Sequence, residues 1–280
     1  MTTSFESSIL GYRRFLETRD GAADVARETL SQRETFFHAI EARTVRSRWQ
    51  PDADAFQRNV AGARPEPGLD DRLLWLLATA KVNQGERFGV ELGKLYGLTP
   101  SLEDDPEQVH VLLQETYHMR TLAEVVRMFG LQVPLRPPPA STRHLIELMV
   151  FAPLPEHFVL PLIGMSEQMG CVMFRLLRDR GVALFADEPE VAERIRLLYD
   201  EILADEICHV GLIEARLAGF GLAAMRALYR WFAPRIGPRM APECASLFGR
   251  DALARAFRAP FRQAALAAEF PRTAYAFASP

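Results

Sequence analysis

Glu115-Thr116-Tyr117-His118 and Glu206-Ile207-Cys208-His209 each place a glutamate and a histidine three residues apart. Both stretches lie in long segments whose apolar residues recur with the period of an α-helix. Because positions i and i+3 of a helix share one face, each pair can bind one metal ion from a single helix. One pair of this spacing is common by chance, whereas two such pairs in one chain predict a shared metal site.

Two further glutamates precede these pairs along the chain. Glu86 lies 29 residues before Glu115, and Glu167 lies 39 residues before Glu206. The residues that share the helical face of Glu86 are all small or uncharged, and those around Glu167 form an apolar stripe. Glu91 instead has basic residues four positions before it and three after it, which is typical of a solvated charge network. We therefore expect Glu86, not Glu91, to face inward.

Carboxylates on such faces predict bound cations. A buried, isolated carboxylate costs several kcal/mol of desolvation, whereas four carboxylates and two imidazoles facing two cations offset that cost. An oxygen-rich set with one histidine per metal argues against structural zinc and favours two iron ions, or iron with manganese, with positions left for dioxygen. The predicted ligands are Glu86, Glu115, His118, Glu167, Glu206 and His209.

Composition and charge narrow the class of protein. Hydrophobic residues make up 49% of the 280-residue chain and charged residues 25%, which is ordinary for a globular protein. A net charge of −3 gives no electrostatic reason to expect nucleic-acid binding. The three cysteines are far apart and form no disulfide or zinc pattern, and the chain shows no signal peptide or transmembrane stretch. We expect a soluble, cytoplasmic protein.

Turn-forming residues divide the chain into helical segments, and no convincing strand alternation interrupts them. The fold predicted is all-α. Four segments of more than 20 residues, near 71–95, 106–129, 157–180 and 188–218, are each long enough for a deep four-helix bundle. Further helices are predicted over 5–19, 23–47, 143–151 and 222–233, the last stopped by Pro234, with a loop towards the end of 49–70.

The order of these residues, E…ExxH…E…ExxH over four helices, resembles the ferritin-like di-iron carboxylate superfamily. The resemblance implies one domain over 1–280, with a metal-binding bundle at about 71–218 and flanking helices in 1–70 and 220–280. It also implies that the glutamates chelate or bridge the irons and that each histidine binds one iron. Asp205 completes a D-E-x-x-H motif similar to that of ribonucleotide reductase small subunits and bacterial multicomponent monooxygenases. That motif implies that Asp205 orients His118, whereas Gln114 replaces the corresponding aspartate of the first motif.

The stretch QETYHMR and the flanking helices are similar to the p-aminobenzoate N-oxygenase group of di-iron enzymes, although Ile202 stands where that group has another histidine. The resemblance implies an O2-dependent oxidoreductase acting on a small organic substrate, with an electron donor protein or other reductant. Amine N-oxygenation, hydroxylation, fatty-acyl-type desaturation and oxidative C–C cleavage stay open, as does a homodimer. A ferritin-like iron store or a rubrerythrin-like peroxide scavenger is the alternative from another class.

Small and flexible residues recur beside the predicted ligands. Glycines inside a helix weaken it, so a glycine-rich ligand helix indicates either close helix packing or room for substrate or dioxygen. Methionines at helical spacing fill a core or line an adaptable apolar pocket. The residues concerned are Gly85, Gly89, Gly93, Gly164, Gly170, Met165, Met169 and Met173.

Overall fold

The computed structural model describes residues 17, 30–95, 105–138, 140, 143, 146–147, 156–217 and 219–259. Every regular element in these ranges is helical, which confirms the all-α prediction. The helices are α1 (Ser31–Ala42), α2 (Ala53–Ala61), α3 (Asp71–Leu95), α4 (Pro106–Arg127), α5 (Glu156–Leu184), α6 (Pro189–Arg216), α7 (Gly219–Met240), α8 (Pro242–Phe248) and α9 (Arg250–Arg258).

The four long helices, α3 to α6, pack around one another. Helix α3 contacts α4 and α5, and α6 contacts the same two helices from the other side. Trp75 of α3 is fully buried in the core, and its indole N–H donates to the main-chain carbonyl of Leu177 at 2.7 Å. Gly181 permits this contact, because a Cβ there would lie 2.5 Å from the Trp75 ring. One hydrophobic core therefore runs between these helices.

The predicted boundaries of the long helices agree with the structure to within a few residues. Asp105 caps α4, accepting a hydrogen bond from the main-chain N–H of Gln108 at 3.0 Å, and Pro106 occupies the first turn. Helix α5 continues past Gly181 to Leu184, although the glycine predicted its end. The reason is that Gly181 serves the contact with Trp75 and has a helical conformation.

Outside the long helices, the sequence analysis missed one helix and misplaced the end of another. Helix α2 was not predicted, although Asp52 caps it by accepting from the N–H of Ala55 at 2.9 Å. The predicted stop of α7 at Pro234 is wrong, since the helix continues through Pro234 and Pro238 to Met240. Both prolines are buried, and the packing of α7 against neighbouring helices offsets the hydrogen bonds that they remove.

Helix α1 is shorter than the predicted segment 23–47, of which 23–29 lie outside the described residues. Most of the predicted helices over 5–19 and 143–151 also lie outside them. Among the described residues, no helix combines the length and the apolar character that crossing a membrane requires.

Candidate metal centre

The six predicted ligands meet between the four long helices, each of which contributes one glutamate. They form two overlapping groups, and within each group the ligand atoms lie within 4.8 Å of one another. The first group is Glu86, Glu115 and His118, and the second is Glu115, Glu167, Glu206 and His209. Because Glu115 belongs to both groups, its two oxygens can serve two neighbouring cations.

The two histidines direct their Nδ1 atoms at the carboxylates. Nδ1 of His118 lies 3.3 Å from Glu115 Oε2 and 3.4 Å from Glu206 Oε1. Nδ1 of His209 lies 3.1 Å from Glu115 Oε1 and 3.3 Å from Glu167 Oε2.

Both imidazoles are about 99% buried, since each is 1% exposed. Neither Nδ1 atom, nor Glu115 Oε2, forms a hydrogen bond of normal geometry with the described part of the chain. Buried polar atoms without such bonds are costly, so these atoms need another partner. Nitrogen and oxygen atoms that converge in this way fit two iron or manganese ions.

The outer nitrogens of the histidines are held by acceptors from the opposite motif. His118 Nε2 lies 3.3 Å from Asp205 Oδ2, the contact that the resemblance implied. His209 Nε2 lies 3.1 Å from Gln114 Oε1, so Gln114 serves the second histidine. The Gln114 amide also donates to Asp205 Oδ1 at 3.2 Å. Because both partners of the histidines are acceptors, each Nε2 carries a proton, and Nδ1 is the ring nitrogen that can bind a cation at the carboxylates.

Sequence reasoning missed Arg33, which joins this network from α1. Arg33 is 4% exposed, and its guanidinium forms ion pairs with Glu201 and Asp205 of α6. A single arginine on a polar helix gives no periodic signal, and the partners lie 168 and 172 residues away in the sequence. Helix α1 therefore supports the face of Asp205 that is turned away from His118.

The buried carboxylates and imidazoles of the site shift the pKa values of one another. Burial and the nearby Glu115 raise the pKa of Glu86 well above its usual range, and burial and Glu167 do the same for the pKa of Glu206. Burial opposes ionisation of Glu115, but the adjacent imidazoles of His118 and His209 outweigh it and hold the pKa of Glu115 well below its usual range. Crowded buried carboxylates of this kind are stabilised by bound cations.

A cavity of about 770 Å³ adjoins the cluster, and all four glutamates line it. The three methionines and Gly85, Gly89 and Gly93 also line it, so these glycines border open space. Gly164 has a packing role instead, because a Cβ there would lie 2.9 Å from Ile213 and would clash with Met225. Gly170 leaves room for the carboxylate of Glu206, which lies 2.6 Å from the position of its missing Cβ.

The chain matches no protein-family model, no curated protein and no solved structure. Its function is therefore inferred from the side chains of the cluster and from the cavity beside it.

Proposed function

We propose that this chain is a ferritin-like di-iron protein that uses dioxygen to oxidise a small organic substrate. The observation that carries the proposal is the convergence of four glutamates and two histidines from α3, α4, α5 and α6. A glutamate from each of two helices and a Glu-x-x-His pair from each of two others is the ligand set of di-iron carboxylate bundles. Their order along this chain agrees with that pattern.

The residues divide into two metal sites in this proposal. Glu86 and His118 would hold one ion, Glu167 and His209 would hold the other, and Glu115, which belongs to both groups, would contribute to each. Glu206 belongs to the second group and also approaches His118, so it would serve either ion. Bound iron would supply redox chemistry with dioxygen. Asp205 and Gln114 would fix the orientation of the two imidazoles, with Nδ1 of each directed at the ions.

The cavity favours an enzyme rather than an iron-storage protein. A storage protein needs a route for iron, whereas a cavity of about 770 Å³ lined mainly by apolar side chains has the dimensions of a small-molecule site. N-oxygenation, hydroxylation, desaturation and C–C cleavage all use such a site, and each needs an electron donor when the substrate supplies too few electrons.

Metal analysis and oxygen consumption test the proposal together. Protein purified after iron-replete expression should hold about two metal ions per chain and consume dioxygen when given a reductant. Glu115→Ala and His209→Ala should lose metal and oxygen consumption while keeping helical circular dichroism. Glu91→Ala is the matched control, because Glu91 is an exposed glutamate of α3 and its loss should change neither.

A well-folded wild-type chain that takes up no iron would overturn the metal assignment. Uptake of tens of iron atoms per chain, without oxidation of any organic compound, would instead identify a storage protein. Unchanged oxygen consumption in Glu115→Ala would exclude this cluster as the place of reaction.

A further inference from the structure

We infer that the cavity beside the cluster binds the unbranched, uncharged aliphatic chain of the substrate. That this ligand is a substrate rests on the proposed function, whereas its binding depends only on the shape and lining of the cavity. The lining residues come from α3, α4, α5 and the C-terminal helices, so the cavity is built by several elements.

The cavity is long. Its lining residues on α3 extend from Ala78 to Gly93, which corresponds to about 22 Å along the helix axis at the usual rise per residue. Glu86 lies near the middle of this span, so the cavity passes the carboxylates and continues in both directions. A volume of about 770 Å³ spread over such a length suits an extended molecule better than a compact one.

One arm of the cavity follows α3 from Glu86 to Gly93, where the glycines of this helix place no side chains in the space. Among the described residues, a Cβ added at Gly85 or Gly93 would meet nothing within 4 Å, and one added at Gly89 would meet a methyl group of Ile146 at 3.9 Å. The described lining also includes aliphatic residues of α4 and α5, namely Val111, Leu112, Val159, Leu160 and Ile163, whereas its aromatic rings are those of Phe174 and Phe257. A lining in which aliphatic side chains outnumber aromatic rings favours a methylene chain over a stacked aromatic ring.

A buried ion pair also lines the cavity. Apart from the four glutamates of the cluster, the charged side chains among the described lining residues are Lys81 and Glu243. They pair with each other, and their side chains are 9% and 2% exposed. Lys81 also donates to the main-chain carbonyl of Gly62 at 2.7 Å. Among the described lining residues, the one basic side chain is therefore neutralised by Glu243, which favours an uncharged ligand over an anionic one.

Calorimetric titration of the full-length chain with two ten-carbon alcohols tests this inference. 1-Decanol is extended and 1-adamantanol is compact, and each carries one hydroxyl group. Titrations under nitrogen without a reductant prevent turnover. We expect saturable binding of 1-decanol at one site, at least about tenfold tighter than binding of 1-adamantanol, because the extended chain contacts more of a cavity about 22 Å long and so buries more apolar surface.

Gly89→Leu places a side chain in the open arm and should weaken 1-decanol binding at least about tenfold by excluding several methylene groups. The control is Glu91→Leu, which adds the same side chain on the exposed face of α3 and should leave the affinity within about twofold. Circular dichroism checks that both variants fold. Absence of saturable 1-decanol binding, equal or tighter binding of 1-adamantanol, or unchanged affinity in folded Gly89→Leu would each overturn the inference.

Metal content measured on the same samples separates this inference from the proposed function. Selective 1-decanol binding by a chain that takes up no iron would support the aliphatic site and contradict the di-iron proposal. Normal iron uptake without selective 1-decanol binding would contradict the aliphatic site alone.

Discussion

At the scale of single residues, the centre depends on side chains that hold the ligands in place. Asp205 is 1% exposed and accepts from His118, from Gln114 and from Arg33. A buried carboxylate of this kind is stabilised when a guanidinium lies beside it and its oxygens are hydrogen-bonded. Arg33 is therefore a positioning residue, because it acts on His118 through Asp205.

Replacement of Arg33 tests that role. Arg33→Met removes one buried cation from Glu201 and Asp205, so we expect a loss of about 3–5 kcal/mol in unfolding free energy and about 10–100-fold weaker metal binding. Urea unfolding of the metal-free chain and competition with a chelator measure the two effects. Arg33→Lys keeps the charge without the bidentate geometry and should recover part of both.

Arg43→Met is the control for this change. Arg43 is the residue directly after α1 and pairs with Glu190, but both side chains are at least 70% exposed. Exposed ion pairs contribute about 0–1 kcal/mol, so stability and metal affinity should change little. Equal metal affinity in Arg33→Met and Arg43→Met would refute the positioning role.

At the scale of elements, one carboxylate connects the segment after α1 to the start of α6. Glu188 is buried, and it accepts from the main-chain N–H of Arg48 at 2.6 Å and from the hydroxyl of Ser47 at 2.9 Å. Burial opposes its ionisation, but these donors outweigh that effect and lower the pKa of Glu188. The segment that follows α1 is thereby fastened at the N-terminal end of α6.

The sign of this shift predicts a pH dependence. A carboxyl group whose folded pKa is lowered stabilises the fold above its usual pKa of 4.5, and this contribution disappears as the pH falls through the folded value. Glu188→Gln should therefore cost about 1–3 kcal/mol at neutral pH and progressively less in acid. Denaturant unfolding at several pH values measures the difference. Glu190→Gln, at an exposed position, should cost little throughout, and a pH-independent loss in Glu188→Gln would contradict the assignment.

The helix boundaries show which structural features depend on a few neighbouring residues and which depend on packing between helices. Asp105 and Pro106 predict the start of α4 because a cap and a proline act within one turn. Pro234 predicts a stop by the same local logic, but α7 continues because its prolines are buried against neighbouring helices. The free energy of packing exceeds a local preference when enough surface is buried, and no window of sequence contains that surface.

At the scale of the whole molecule, the C-terminal helices contribute to the lining of the cavity. Glu243 of α8 is buried against Lys81 of α3, 162 residues away in the sequence. Burial raises the pKa of Glu243 although Lys81 opposes the shift. The pair thus connects the C-terminal helices to the helices that carry the cluster.

A double-mutant cycle tests this connection. Lys81→Met leaves Glu243 buried without its cation and should cost about 3–5 kcal/mol, whereas Lys81→Met combined with Glu243→Leu should recover most of that loss. Thermal or denaturant unfolding gives the coupling free energy. Additive losses in the double variant would show that the two residues stabilise the fold independently.

The sequence by itself determines the four long helices and the candidate ligands, because both depend on short-range periodicity. Glu115 and His118 share a face by their spacing, and Glu86 is distinguished from Glu91 by its immediate helical neighbours. Only the tertiary structure decides that Arg33 supports Asp205, that Gln114 holds His209 and that three glycines border a long cavity. These features depend on how distant helices approach one another, and such contacts arise from packing that no local pattern encodes.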